Sequence, residues 1–214
     1  IAKFPSVNDE KDSAAWEMVL HELAARSGIT VPQSKLMRFS GKHHTYLSKR
    51  FDRTSDGQRI HFASAMTLLG YNDGTDFSDG ASYLELAGFI MQHSPESTHD
   101  LEQLWRRIVF NILVSNTDDH LRNHGFLLTP EGWRLSPAFD VNPNEQGTGL
   151  KLNISDKDNS LDVGLAMDVA KYYKLNTSQA GIILKEITST ILEWKKVAKT
   201  NGISNGEIEM IKKA

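Results

Sequence analysis

Three polar residues are spaced for chemistry. Asp118 and Asn123 lie five apart in the stretch SNTDDHLRNHGF, residues 115–126, and Asp140 follows seventeen residues after Asn123. Between them, residues 126–128 (FLL) and 133–135 (WRL) flank Thr129-Pro130-Glu131-Gly132, the pattern of a β-hairpin. A hairpin brings its outer ends together, so Asn123 and Asp140 are expected side by side. Carboxylate and amide oxygens are the hard ligands that Mg²⁺ prefers. A carboxylate that accepts a hydroxyl proton, next to a held metal, is equipment for phosphoryl transfer. On this reading Asp118 is the base, and Asn123 and Asp140 hold Mg²⁺.

Phosphoryl transfer also needs a cation at the nucleotide phosphates. Lys3, in the strand-like Ile1-Ala2-Lys3-Phe4, is the candidate, with Glu17 on the following helix as its partner. The tandem Asp118-Asp119 requires a choice, and the five-residue step to Asn123 selects Asp118. Asp119 is left either on the solvent side or ordering the loop. His120 belongs first to the loop architecture and joins Lys3 and Glu17 on the nucleotide side; His124 is the weaker histidine. A metal hydrolase using Asp118, Asp119, His120 and His124 is disfavoured, because such sites gather ligands from separated elements. The chain has neither a G-x-G-x-x-G nor a Walker A sequence.

The elements that must position these residues can be read from the pattern. The chain has 214 residues, 39% of them hydrophobic and 24% charged, a globular composition long enough to bury a core. A net charge of -3 disfavours a dedicated nucleic-acid binder. With no cysteine there is no disulfide and no thiolate chemistry, which fits a reducing compartment. No apolar run approaches the roughly 20 residues of a membrane span. Helices are expected over 13–27, 62–69, 83–92, 100–114, 161–172, 177–198 and 204–213, and an antiparallel pair over 36–39 and 45–51 around the turn Ser40-Gly41-Lys42. In 100–114, apolar residues cover so wide a face that the helix reads as buried nearly all round. The acidic stretch GYNDGTDFSDG misses the calcium-loop register and reads as a solvated loop.

Together these segments resemble the HipA-like serine/threonine kinases, toxins of bacterial toxin–antitoxin modules. Lys3-Phe4-Pro5-Ser6 is similar to the nucleotide-lysine strand of that family, and 17–32 to its first helix and exit. Lys49-Arg50-Phe51-Asp52-Arg53 is similar to its (K/E)RFDR segment. Asn116, Asp118, His120 and Asn123 fall on a loop written NxDxHxKN, with Arg122 where lysine is usual, and residues 139–143 (FDVNP) resemble its metal-binding segment. The resemblance implies an α+β, two-lobed, protein-kinase-like fold: a partial N-lobe over 1–53 and a helical C-lobe over 54–214. It implies ATP and Mg²⁺, with Lys3 at the phosphates, Asp118 catalytic, and Asn123 and Asp140 on the metal. It further implies a small helix-turn-helix antitoxin as partner, DNA reached only through that partner, an aminoacyl-tRNA synthetase as the type of protein substrate, and a cytoplasmic, membrane-free setting.

Two departures temper these expectations. Residues 59–65 replace a more acidic family pattern, which points to a different protein substrate. The family also carries an N-terminal subdomain and a phosphate loop ahead of the lysine strand. Their absence suggests a truncated kinase, a kinase completed by a separate chain, or an inactive pseudokinase or binding module. A small-molecule kinase shares the same polar residues.

Overall fold

Two small sheets and a body of helices frame the loop that carries Asp118. The computed structural model describes residues 1–6, 8–39, 41–144 and 147–211. The first sheet has the order β1-β3-β2 and is antiparallel throughout, with β1 Ala2–Lys3, β2 Ser34–Met37 and β3 Thr45–Ser48. Lys3 sits opposite Tyr46, which sits opposite Leu36. The expected strand pair is therefore present, shifted and shortened. Of its turn, Gly41 takes a left-handed φ of 80°, while Ser40 lies outside the described residues.

Helix α1, Ser13–Arg26, packs on this sheet. Asp12 caps it by accepting from the Ala15 amide, and Ala14, Ala15, Val19, Leu20 and Leu23 supply its buried face. It stops at Ser27, followed by Gly28 at φ 74°.

The second sheet, β4-β5-β6, is the platform for the loop. It comprises β4 Phe62–Ser64, β5 Gly125–Thr129 and β6 Gly132–Leu135, again antiparallel. The expected hairpin is β5–β6. Its outer ends meet as anticipated, with the Ser136 amide donating to the Gly125 carbonyl at 2.9 Å. The expected helix over 62–69 is corrected: only α2, Ala65–Leu69, is helical. The composition of 62–64 suits a helix, yet their backbone is taken by β5, and Ser64 then caps α2 by accepting from the Thr67 amide. Gly125 permits this pairing, because a Cβ there would lie 2.1 Å from the Phe62 ring.

The remaining helices form the body: α3 Tyr83–His93, α4 Ser97–Leu113, α5 Val163–Val169, α6 Thr177–Ile191, α7 Trp194–Thr200 and α8 Asn205–Ile211. Leu101, Leu104, Trp105 and Ile108 of α4 are fully buried. So are two charges on the same helix, Asp100 and Arg107, which the apolar pattern did not reveal. The segment expected as one helix over 177–198 is broken at Leu192-Glu193. That break leaves Leu192 exposed and turns Trp194 onto Trp16 of α1, with ring centroids 6.2 Å apart. The helix expected over 161–172 begins later, at an Asp162 cap, and tightens into a 3₁₀ turn over 170–173. The last expected helix, 204–213, is α8; residues 212 and 213 lie outside the described residues. The GYNDGTDFSDG stretch is a loop with one 3₁₀ turn, Phe77–Asp79, in which Asp76 and Asp79 cap the turn reciprocally.

Candidate active site

Asp118 to Asn123 form a loop between α4 and β5. The chain leaves α4 through Ser115, whose φ of 53° reverses its direction. The His120 amide donates to the Asp118 carbonyl at 3.0 Å, and the Asn123 amide donates to the His120 carbonyl at 2.8 Å. This short 3₁₀ turn leaves Asp118 exposed and buries Asn123. The Nδ2 of Asn123 donates to the Asp118 carbonyl at 3.2 Å, so its other amide atom, the oxygen, is turned away from that bond.

What fixes the loop is Asp119, the residue left unplaced by the sequence. It is 5% exposed, and its Oδ2 accepts three hydrogen bonds: from Tyr83 OH at 2.6 Å, Asn111 Nδ2 at 2.7 Å and His124 Nε2 at 2.8 Å. Asn111 in turn accepts from Asn116 Nδ2 at 3.0 Å. Burial alone would push the Asp119 carboxyl up, but His124, Tyr83 and the nearby Arg107 outweigh it and hold it below its ordinary value. Burial draws the Arg107 guanidinium down to about 10. Asp119 and His124 are thus consumed by one another in the core, which removes them from the metal-cluster alternative. Among the described residues, no group of three His, Asp or Glu side chains is placed to hold a metal ion.

Lys3, Glu17 and Asp140 do come together. Lys3 Nζ lies 2.7 Å from Glu17 Oε1 and also donates to Asp140 Oδ1, across 137 residues of chain. Glu17 is buried, while the Lys3 and Asp140 side chains keep about two-fifths of their surface exposed. Burial works against the Lys3 ammonium, but the two carboxylates outweigh it and raise its pKa. Burial pushes Glu17 up, against the pull of Lys3. Asp140 has φ 57°, uncommon for a residue with a side chain, and Asn142 Nδ2 donates to its Oδ1 at 3.1 Å. Asn123 lines a small cavity of about 10 Å³ with Asn111, Asp119 and His124 and with Phe139 and Val141, the chain neighbours of Asp140.

His120 stays within the loop, half-buried, its backbone bridging Asp118 and Asn123. A cleft of about 400 Å³ opens beside Lys3 and Glu17, bordered by Phe4, Ser13, Trp16 and Pro143. A larger cavity of about 620 Å³ lies between α1 and α6–α7; it is lined mainly by apolar groups such as Leu20, Leu161 and Trp194. Arg122 pairs with Asp73.

A strand lysine paired to a helix glutamate, an aspartate after a hairpin, and a loop with Asp and Asn five apart define a protein-kinase-like arrangement. The chain belongs to the HipA-like C-terminal domain family, whose model matches residues 1–200. A putative kinase of Haemophilus influenzae is 29% identical over 146 residues, covering 64% of this chain and 43% of the relative. The serine/threonine-protein kinase toxin HipA of Shewanella oneidensis is 26% identical over 144 residues, 58% of this chain and 33% of that protein. The chain thus spans less than half the length of these relatives. Among solved structures, S. oneidensis HipA, in a complex with HipB and its operator DNA, superposes with a TM-score of 0.78 at 18% identity, over 98% of this chain and 54% of that one. The Helicobacter pylori proinflammatory kinase CtkA superposes with a TM-score of 0.58 at 15% identity, over 93% and 88%. The mixed α+β, kinase-like fold expected from the sequence is therefore the fold observed.

Proposed function

We propose that this chain is the catalytic region of an ATP-dependent serine/threonine protein kinase, acting as the toxin of a toxin–antitoxin pair. The observation that carries the reading is the convergence of Lys3 and Glu17, from the first strand and helix, with Asp140, 137 residues from Lys3. Lys3 contacts the nucleotide phosphates and Glu17 holds it there, with His120 on the same side. Asp118 orients the acceptor hydroxyl and takes its proton. The donor set fits Mg²⁺: Asn123 offers an amide oxygen and Asp140 a carboxylate, both hard ligands. When bound, the metal neutralises charge on the transferred phosphoryl group.

A small helix-turn-helix antitoxin is the partner proposed, supported by the named complex of the structural neighbour with HipB. The acceptor is a protein hydroxyl, with an aminoacyl-tRNA synthetase as the substrate type that the family resemblance suggests. The test is incorporation of labelled γ-phosphate by the full-length protein, with and without Mg²⁺. Metal-dependent transfer to itself or to a lysate protein is expected. Nucleotide binding without any transfer would favour a binding module instead.

A further inference from the structure

Arg107 is a buried charge with unmet donors. The residue is 4% exposed, and from α4 its Nη2 donates to the carbonyl of Ser136, at the exit of the β5–β6 hairpin. Its Nε and Nη1, also buried, have no hydrogen-bond partner in the protein. A guanidinium carries five N–H donors and no acceptor, and a buried donor left without a partner is costly. Burial draws its pKa only to about 10, so the group stays charged at neutral pH. The carboxylates of Asp119 and Asp100 already act on that charge. What the free nitrogens lack is an acceptor rather than a counter-ion.

A second buried group is in the same condition. His124, 1% exposed, spends Nε2 on Asp119 at 2.8 Å, while its Nδ1 has no partner. Arg107 and His124 line the same cavity of about 10 Å³. That is close to the volume one water molecule needs, about a single probe sphere. Ala24, Ile29, Phe110 and Ala138 supply apolar wall around it. The chemistry of the occupant follows from these groups. An arginine N–H requires an acceptor, which a metal cation is not. His124 Nδ1 accepts in a neutral ring and donates in a charged one. Water both donates and accepts, so it answers either state; an anion answers only the second.

We propose that this cavity is an internal hydration site, holding one ordered water molecule that accepts from an Arg107 N–H and bonds the free ring nitrogen of His124. His124 is the residue that ends the loop, directly after Asn123. The water therefore adds a second link between α4 and the end of the loop, beside the one that runs from Asn111 through Asp119. Neither link touches the reacting groups.

Two measurements on the full-length protein test this. The first is a crystal structure at a resolution that shows ordered water. A solvent peak is expected within about 3.2 Å of Arg107 Nε or Nη1 and of His124 Nδ1. The second compares Ala138→Val with Ala138→Thr in urea unfolding. The two side chains have the same shape, so any cost of crowding the cavity is common to both and the hydroxyl alone distinguishes them. Valine displaces the water with methyl groups and leaves the Arg107 donor bare. Threonine brings an oxygen that can take the place of the water, so its urea midpoint is expected to be the higher. A dry cavity gives the opposite order, because an unbonded buried hydroxyl costs more than a methyl group. Empty density in the cavity, or Arg107 Nε and Nη1 both bonded to protein oxygens, overturns the proposal. So does a valine midpoint equal to or above that of threonine. If neither variant folds, the density of the unsubstituted protein decides alone. No nucleotide or phosphoryl transfer enters either measurement, so the outcome is separable from that of the kinase reading.

Discussion

Asp118 and Asp119 are chain neighbours with opposite surroundings. Asp118 is exposed at the mouth of the loop. Asp119 is buried and its Oδ2 accepts from a tyrosine, an asparagine and a histidine. One dipeptide thus turns one carboxylate to solvent and the other to the core. The contrast extends outward. On the open side, Lys3, Glu17 and Asp140 form an ionic group that is partly exposed; on the closed side, Asp119 accepts from His124, Tyr83 and Asn111 within the core, beside a cavity of only about 10 Å³. The buried carboxylate fixes the backbone on which the exposed one stands.

The comparison can be broken most sharply by substituting each aspartate in turn. Asp118→Asn in the full-length protein is expected to lower phosphoryl transfer about 10³-fold, within the span of a lost general base. Its unfolding free energy is expected to stay within about 0.5 kcal/mol of the unsubstituted protein. Asp119→Ala should do the reverse first: a loss of about 3 kcal/mol in urea unfolding, because three donors and the Arg107 charge lose their partner. Equal stability loss for both would erase the distinction.

Acid sharpens the same contrast. The folded-state pKa of Asp119 is lowered, so its stabilising contribution is present above the unfolded carboxylate value of about 3.9 and is lost as pH falls through the folded pKa. The urea midpoint is expected to fall as pH drops below about 4. In Asp119→Asn part of that fall should be missing. On the open side the smallest effect is expected: Glu17→Gln should weaken nucleotide binding about tenfold, roughly 1.4 kcal/mol, while its urea midpoint shifts little. Isothermal titration with a non-hydrolysable ATP analogue reads the first and urea unfolding the second.

The open side was legible in the sequence and the closed side was not. Asp118, Asn123 and Asp140 could be singled out as candidates because they flank one loop and one hairpin, and hairpins announce themselves by turn chemistry. Lys3 and Glu17 needed only the first strand and helix. Asp119 showed itself as an extra carboxylate, yet its partners Tyr83 and Asn111 lie on two other helices, with no spacing rule to join them. Phe62 to Ser64 misled for a related reason: their composition suits a helix, and the strand forms because β5, more than sixty residues later, offers an edge and Gly125 leaves room for the Phe62 ring. The contacts of Asp12 with His44 and Glu207 were invisible on the same grounds, since these residues lie 32 and 195 positions away. Local chemistry is written locally; anchoring is tertiary.

The central claim is that the exposed carboxylate of Asp118 serves phosphoryl transfer on a scaffold that does not depend on it. The direct measurement is γ-phosphate incorporation by full-length protein and by its Asp118→Asn variant, with nucleotide affinity recorded on the same samples. The account predicts Mg²⁺-dependent transfer by the first, and in the second an intact nucleotide affinity with transfer reduced about 10³-fold. Equal transfer by both proteins would contradict it.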